Sequence, residues 1–188
     1  MIGGFIAGLV AANAFEWNMH KKMLHEHARQ KDSFWRFHWA DHHKHVIKED
    51  YYDHDYTRSL FEGWNGQSKE AASLVGAAVV VAPLFPIAPG FTAGLWFSAW
   101  NYYQVHKKSH LNPEWGYKYL PWHYDHHMGP DQDKNWCVTF PLWDYVMGTR
   151  IPYKGTEKEA SDIAKGRRKV PTNHPKTAKV TANAEAVK

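Results

Sequence analysis

Histidine is the residue type here that could do chemistry, and the 188-residue chain holds 14 of them. The stretch "LPWHYDHHMG" contains His123, His126 and His127. On a helix turning about 100° per residue, His126 lies roughly 60° to one side of His123 and His127 roughly 40° to the other. Three imidazoles then converge on one face, one turn apart. A metal ion needs that arrangement, and a solvated surface has little use for it.

Three further clusters share the pattern: "HKKMLH" (His20, His25), "HWADHH" (His38, His42, His43) and "HKKSH" (His106, His110). Ten imidazoles exceed what one ion accepts and suit two. Scattered surface histidines account for any one pair but not for four such clusters. His106 and His110 share a face at i, i+4. His20 and His25, five apart, diverge by about 140° on an ideal helix, so they either reach different ions or sit on a distorted one; His38 and His43 pose the same choice. His27, His45 and His54 fall outside the pattern and read as structural or supporting, and His174 as solvated. Carboxylates next to the candidate ligands, Glu16, Asp41 and Asp125, are candidates to accept the second imidazole N–H, with capping or surface charge as the alternative.

The remaining composition narrows the chemistry. Cys137 is the single cysteine, which excludes an intrachain disulfide and a cysteine-based zinc site. The pI of 9.0 suggests nucleic acid only until the charge is located. Residues 154–188 carry nine Lys/Arg against four Asp/Glu, and the rest is close to neutral with no RNA- or DNA-binding signature. No nucleophile triad, phosphate loop or dinucleotide fingerprint is present.

The histidines must be positioned by the apolar segments. Residues 1–14, "MIGGFIAGLVAANA", are uncharged and read as a retained span rather than a cleaved signal, although a lone segment of this kind could equally be a core helix. From Ala71 to Val105 there are 35 residues without a charge or histidine, broken by "PLFPIAPG" into two arms. Spans are therefore expected at about 2–17, 70–84 and 88–105, short for a bilayer and flanked by Trp and Tyr. Every charged residue and every histidine lies outside residues 1–15 and 71–105. Three crossings place all of them on one face, cytoplasmic by its lysines and arginines. The expected fold is an all-α integral membrane bundle capped by a histidine-rich two-metal centre, with a soluble bundle around an apolar hairpin as the alternative. The folded domain covers 1–153, with breaks at Gly63–Gly66 and helix starts at Pro113 and Pro121; 154–188 reads as a basic disordered tail.

The order pair, triplet, apolar hairpin, pair, triplet resembles the fatty acid hydroxylase superfamily, membrane di-iron enzymes that include sterol desaturases, sphingolipid and fatty acid hydroxylases and carotene hydroxylases. "FPLWDYVMGT" is similar to that family's closing stretch, an aromatic-Trp-Asp segment followed by Gly-Thr. The likeness runs from about Glu16 to Thr149. It departs from the pattern in the three residues between His38 and His42, where two are commoner, and in three spans where four are typical. The resemblance implies two iron ions (with zinc as an alternative occupant) held by the ten histidines, dioxygen as co-substrate, and no catalytic residue beyond the ligands. It implies hydroxylation of a C–H bond in a fatty acyl, sterol, sphingolipid or carotenoid substrate, with desaturation as the close alternative. Electrons would come from a separate b-type cytochrome, ferredoxin or flavoprotein reductase. From a different class, a non-catalytic membrane metal-binding protein carries the same histidines.

Overall fold

The computed structural model describes residues 1–172, and among them every regular element is helical. His174 and the rest of the expected tail lie outside the described residues. Helix α1 (Ile2–Met19) runs without interruption into a π-helical segment, His20–Glu26. A second π-helical segment, Phe37–His42, continues into α2 (His43–Lys48). After a 3₁₀ turn at His54–Thr57 come α3 (Gly66–Val81) and α4 (Pro89–Leu111). The short helices α5 (Pro113–Tyr119), α6 (Pro121–Met128), α7 (Leu142–Val146) and α8 (Glu157–Ala164) follow within the described residues.

Local chemistry explains most of these boundaries. Asn65 is the N-cap of α3, its side chain accepting from Ser68 N at 2.9 Å, and Gly63 just before it has φ +77°. Pro89, Pro113 and Pro121 open α4, α5 and α6, where a missing N–H costs nothing. The hairpin turn between α3 and α4 falls in the expected proline-rich stretch.

Long helices α1 and α4 lie parallel, because glycines let their backbones touch. A Cβ on Gly8 would sit 2.3 Å from the Phe91 carbonyl oxygen, and one on Gly94 would sit 2.4 Å from that of Phe5. Gly4 and Gly90 make the same approach one turn earlier. This is small-xxx-small packing on both partners. Helix α3 runs antiparallel to α4, with Trp96 Nε1 donating to Ala78 O at 3.0 Å and the Tyr103 hydroxyl donating to Gln67 at 3.0 Å. All three helices therefore bring one end to the histidines. The opposite end exposes Ile2, Ile6, Val79, Val80 and Ile87.

No helix among the described residues is long and apolar enough to cross a membrane. The expected spans form as helices, but Asn13, Glu16 and Asn18 interrupt α1, Gln67 to Glu70 occupy the first turns of α3, and α4 is rich in Gly, Ser, Asn and Tyr. The expected disordered tail is ordered in its first part. Residues 154–172 do not behave as solvated chain. Thr156 caps α8, Tyr153 donates to Asp162 at 3.1 Å, Arg168 Nε donates to Met128 O at 3.2 Å, and Lys169 pairs with Asp50 at 2.8 Å. Few large apolar residues are needed to dock a helix held by polar bonds of this kind.

Candidate metal centre

The ten candidate histidines are all buried, none more than 6 % exposed. They divide into two adjoining groups. His20, His25, His38, His43 and His126 form the first; His42, His106, His110 and His127 form the second. In each group one nitrogen per ring lies within 4.8 Å of all the others. His123 sits at the rim of the second group, its Nε2 3.0 Å from that of His110.

The π-helical segments decide this partition. An i→i+5 turn is wider than an α-turn and brings residue i+5 nearly over residue i. His20 and His25 therefore share a group, as do His38 and His43, whereas an α-helix would have sent each pair apart. Nothing in the propensities of "HKKMLHE" calls for a π-helix; the shared group is what it accommodates. Neighbouring histidines then point opposite ways. His42 and His43 go to different groups, and so do His126 and His127. The expected convergence of His123, His126 and His127 on one ion is thus corrected: α6 straddles the two groups, the His43 and His127 rings only 4.4 Å apart between centroids.

The outer nitrogens show how the rings are oriented. His20 Nδ1 donates to Trp136 O at 2.5 Å, His126 Nδ1 to Lys134 O at 2.7 Å and His25 Nδ1 to Asp133 at 3.2 Å. In the second group His42 Nδ1 donates to Asp53 Oδ2 at 2.6 Å, His106 Nδ1 to Glu70 at 2.5 Å and His110 Nδ1 to Tyr51 O at 3.0 Å. Carbonyls and carboxylates only accept, so Nδ1 carries the proton and Nε2 presents a lone pair. Burial, reinforced by the neighbouring rings, pushes His20, His25, His38 and His43 well below the ordinary imidazole range. It brings His126 down to about 4 and lowers His106, His110, His123 and His127. Burial thus favours the neutral form of these nine rings.

Those lone pairs face one another. His43 Nε2 lies 3.1 Å from that of His25, 3.2 Å from that of His38 and 3.2 Å from that of His126; His20 and His38 are 3.0 Å apart. In the second group the Nε2 atoms of His42, His106 and His127 are buried without a partner. Where Nδ1 carries the proton the converging nitrogens are acceptors that cannot satisfy each other, and buried unsatisfied nitrogens cost about 1–3 kcal/mol each. A cation resolves the conflict. Imidazole ligands at about 2.0–2.1 Å from an ion such as zinc stand roughly 3 Å apart, which matches the spacing in the first group. The donor set fits two transition-metal ions.

The carboxylates expected from adjacency take other partners. Asp41 is exposed. Asp125 accepts from Lys154 N at 2.6 Å and lies 2.7 Å from the Arg150 guanidinium, anchoring α6 to the chain before α8. Glu16 accepts from Val138 N, from Thr139 N at 2.9 Å and from Thr139 Oγ1 at 2.5 Å. From the other side Asp144, the aspartate of the closing "FPLWDYVMGT", accepts from Trp136 N at 2.8 Å and Cys137 N at 2.9 Å. Glu16 and Asp144 thus clamp the loop whose carbonyls hold His20 and His126. Asn135, at φ +58° between those two carbonyls, takes the left-handed conformation that Asn tolerates best after Gly.

The groups that do hold histidines, Asp53, Glu70 and Asp133, stand 11 to 108 residues from their partners, beyond any local signal. Burial raises the Asp53 carboxyl, but the bond from His42 outweighs it and holds the group well below the usual carboxylate range. Asp53→Ala is expected to weaken metal retention at the second group by roughly 10–100-fold, with Asp41→Ala unchanged; chelator competition measures both. Equal retention in the two variants would refute the assignment.

One cavity meets this centre. It has a volume of about 460 Å³ and runs between α1, α3 and α4 past Phe15, Leu74, Ala77, Val81 and Leu95. It ends on His20 and His38 of the first group and His42 of the second.

Fold and site together define an α-helical protein with two adjoining buried histidine groups, each able to hold a metal ion, at the end of a largely apolar cavity. The chain matches the fatty acid hydroxylase family over residues 5–149 and belongs to it. Comparison with curated proteins and with solved structures gives no match.

Proposed function

We propose that this protein is a di-iron oxygenase that hydroxylates a C–H bond of a lipid. The observation that carries the reading is the cavity, predominantly apolar and ending on histidines of both groups. Such a shape takes an alkyl chain end-on and leaves little room for water. His20, His25, His38, His43 and His126 would hold one iron, and His42, His106, His110 and His127 the other. Iron held there supplies dioxygen activation and C–H cleavage. The chain's own part is to seat the alkyl group against His20, His38 and His42, and to aim His20, His25, His126, His42, His106 and His110 through their fixed Nδ1 partners. Electrons come from a separate carrier, a b-type cytochrome, ferredoxin or flavoprotein reductase.

The family's usual membrane association suits the exposed apolar end built by Ile2, Ile6, Val79, Val80 and Ile87. We place that end in the bilayer and the histidine end at its cytoplasmic surface, where a lipid substrate can enter sideways between α1 and α3.

The test supplies iron-loaded protein in lipid nanodiscs with a reductase system and isotopically labelled dioxygen. A lipid product carrying one labelled oxygen supports hydroxylation, and a new double bond without label identifies desaturation. Ala77→Trp, which fills the cavity away from the histidines, is expected to cut turnover at least about 100-fold with metal content unchanged. No product across fatty acyl, sterol, sphingolipid and carotenoid panels would leave a metal-binding protein without this activity.

A further inference from the structure

His45 and His54 belong to neither histidine group, yet they are not isolated. Their rings lie 4.6 Å apart between centroids, tilted by 40°. His45 Nδ1 is 3.6 Å from Asp53 Oδ1, too far for a hydrogen bond, and it is buried without a partner. One potential ligand atom from each of His45, Asp53 and His54 lies within 4.8 Å of the other two. Exposure is graded across the three side chains: 2 % for Asp53, 33 % for His45 and 56 % for His54. The cluster has a fixed carboxylate floor and an open, solvent-facing side.

We infer that His45, Asp53 and His54 form a third site, which takes one divalent transition-metal ion from solvent. The donor set argues for the class of ion. Two imidazoles and one carboxylate suit zinc or cobalt, with water in the fourth position. Calcium and magnesium demand more oxygen ligands than the three groups supply. The nearest further carboxylate, Asp55 Oδ1, stands 3.7 Å from His54 Nε2 and is already drawn to Arg58 at 3.8 Å.

The position gives the site a consequence. Asp53 Oδ2 accepts from His42 Nδ1 while Oδ1 faces His45. One carboxylate therefore joins the outer site to a ligand of the second inner group. An ion on Oδ1 withdraws negative charge from the bond that orients His42, so outer occupancy weakens the inner group rather than strengthening it.

The experiment uses the full chain, iron-loaded, titrated with Co²⁺ and read by the visible absorption of four-coordinate cobalt and by metal analysis. His54→Ala is the informative variant, because that side chain is more than half exposed and lies outside both inner groups. Wild type is expected to take up one more Co²⁺ per chain than His54→Ala, with iron content equal before titration. That extra ion should leave first on brief chelator exposure. Equal uptake by the two proteins overturns the third site. The difference between them reads the outer site alone, so a failure of the inner groups to hold iron would appear separately, as a loss common to both.

Discussion

Replacing His43 with alanine is expected to empty the first metal group and reduce turnover at least about 100-fold, while His127→Ala does the same to the second. His43 carries the larger consequence because its Nε2 stands at the centre of the first group, within 3.2 Å of three other imidazole nitrogens. No neighbour can take its place. His127 has both ring nitrogens buried and unpartnered, and an ion in the second group would engage its inner one. Each variant should retain one ion per chain where wild type retains two, because adjacent residues serve different groups. Losing a ring that has no hydrogen bond to donate should leave the metal-free fold intact. Metal analysis and turnover on the same preparation decide the matter. A His43→Ala protein that keeps two ions and wild-type turnover would dismantle the assignment of the first group.

The second large effect is expected at the α1–α4 contact. Gly8→Ala or Gly94→Ala places a methyl 2.3–2.4 Å from a backbone carbonyl oxygen of the opposite helix. Real Cβ atoms do not approach anything that closely, so the helices must separate. Overpacking of this kind costs about 1–3 kcal/mol, and the rigid backbone neighbour puts these sites at or above the upper end. The damage reaches the metal centre, since α1 leads directly to His20 while α4 carries His106 and His110. Both groups should lose metal together, unlike the one-group loss expected of His43→Ala. Gly76 is the control: nothing lies within 4 Å of its Cβ position, and Ala there should be neutral or stabilising by up to about 1 kcal/mol. Thermal melts in detergent compare the three. A Gly8→Ala protein melting with wild type would show that the two helices do not pack as described.

The ten histidines, the two apolar arms and the proline-marked helix starts were all legible from residue types and spacing. Composition alone pointed any metal to imidazoles, because one cysteine excludes a cysteine-based site. The supporting shell was not legible. Nearness in sequence pointed to Glu16, one turn before His20, and to Asp41 and Asp125, which adjoin their ligands on a helix and so face a different way from them. The acceptors of the histidine N–H groups are Asp53, Glu70, Asp133 and three backbone carbonyls, brought in by other elements. Glu16 came close to its expected role, acting through the Val138–Thr139 backbone rather than on His20.

What the sequence by itself determined is the inventory and its order: paired and tripled histidines on either side of an apolar hairpin, enough for two ions and placed by the hairpin at one end. What only the tertiary structure decided is which histidine stands in which group. Two π-helical turns widen the helix just where His20–His25 and His38–His43 need to align, and no local propensity marks them. That widening sends His42 and His43 to different groups, the α-helix α6 divides His126 from His127 in the same way, and the triplet that looked like one site is the partition between two.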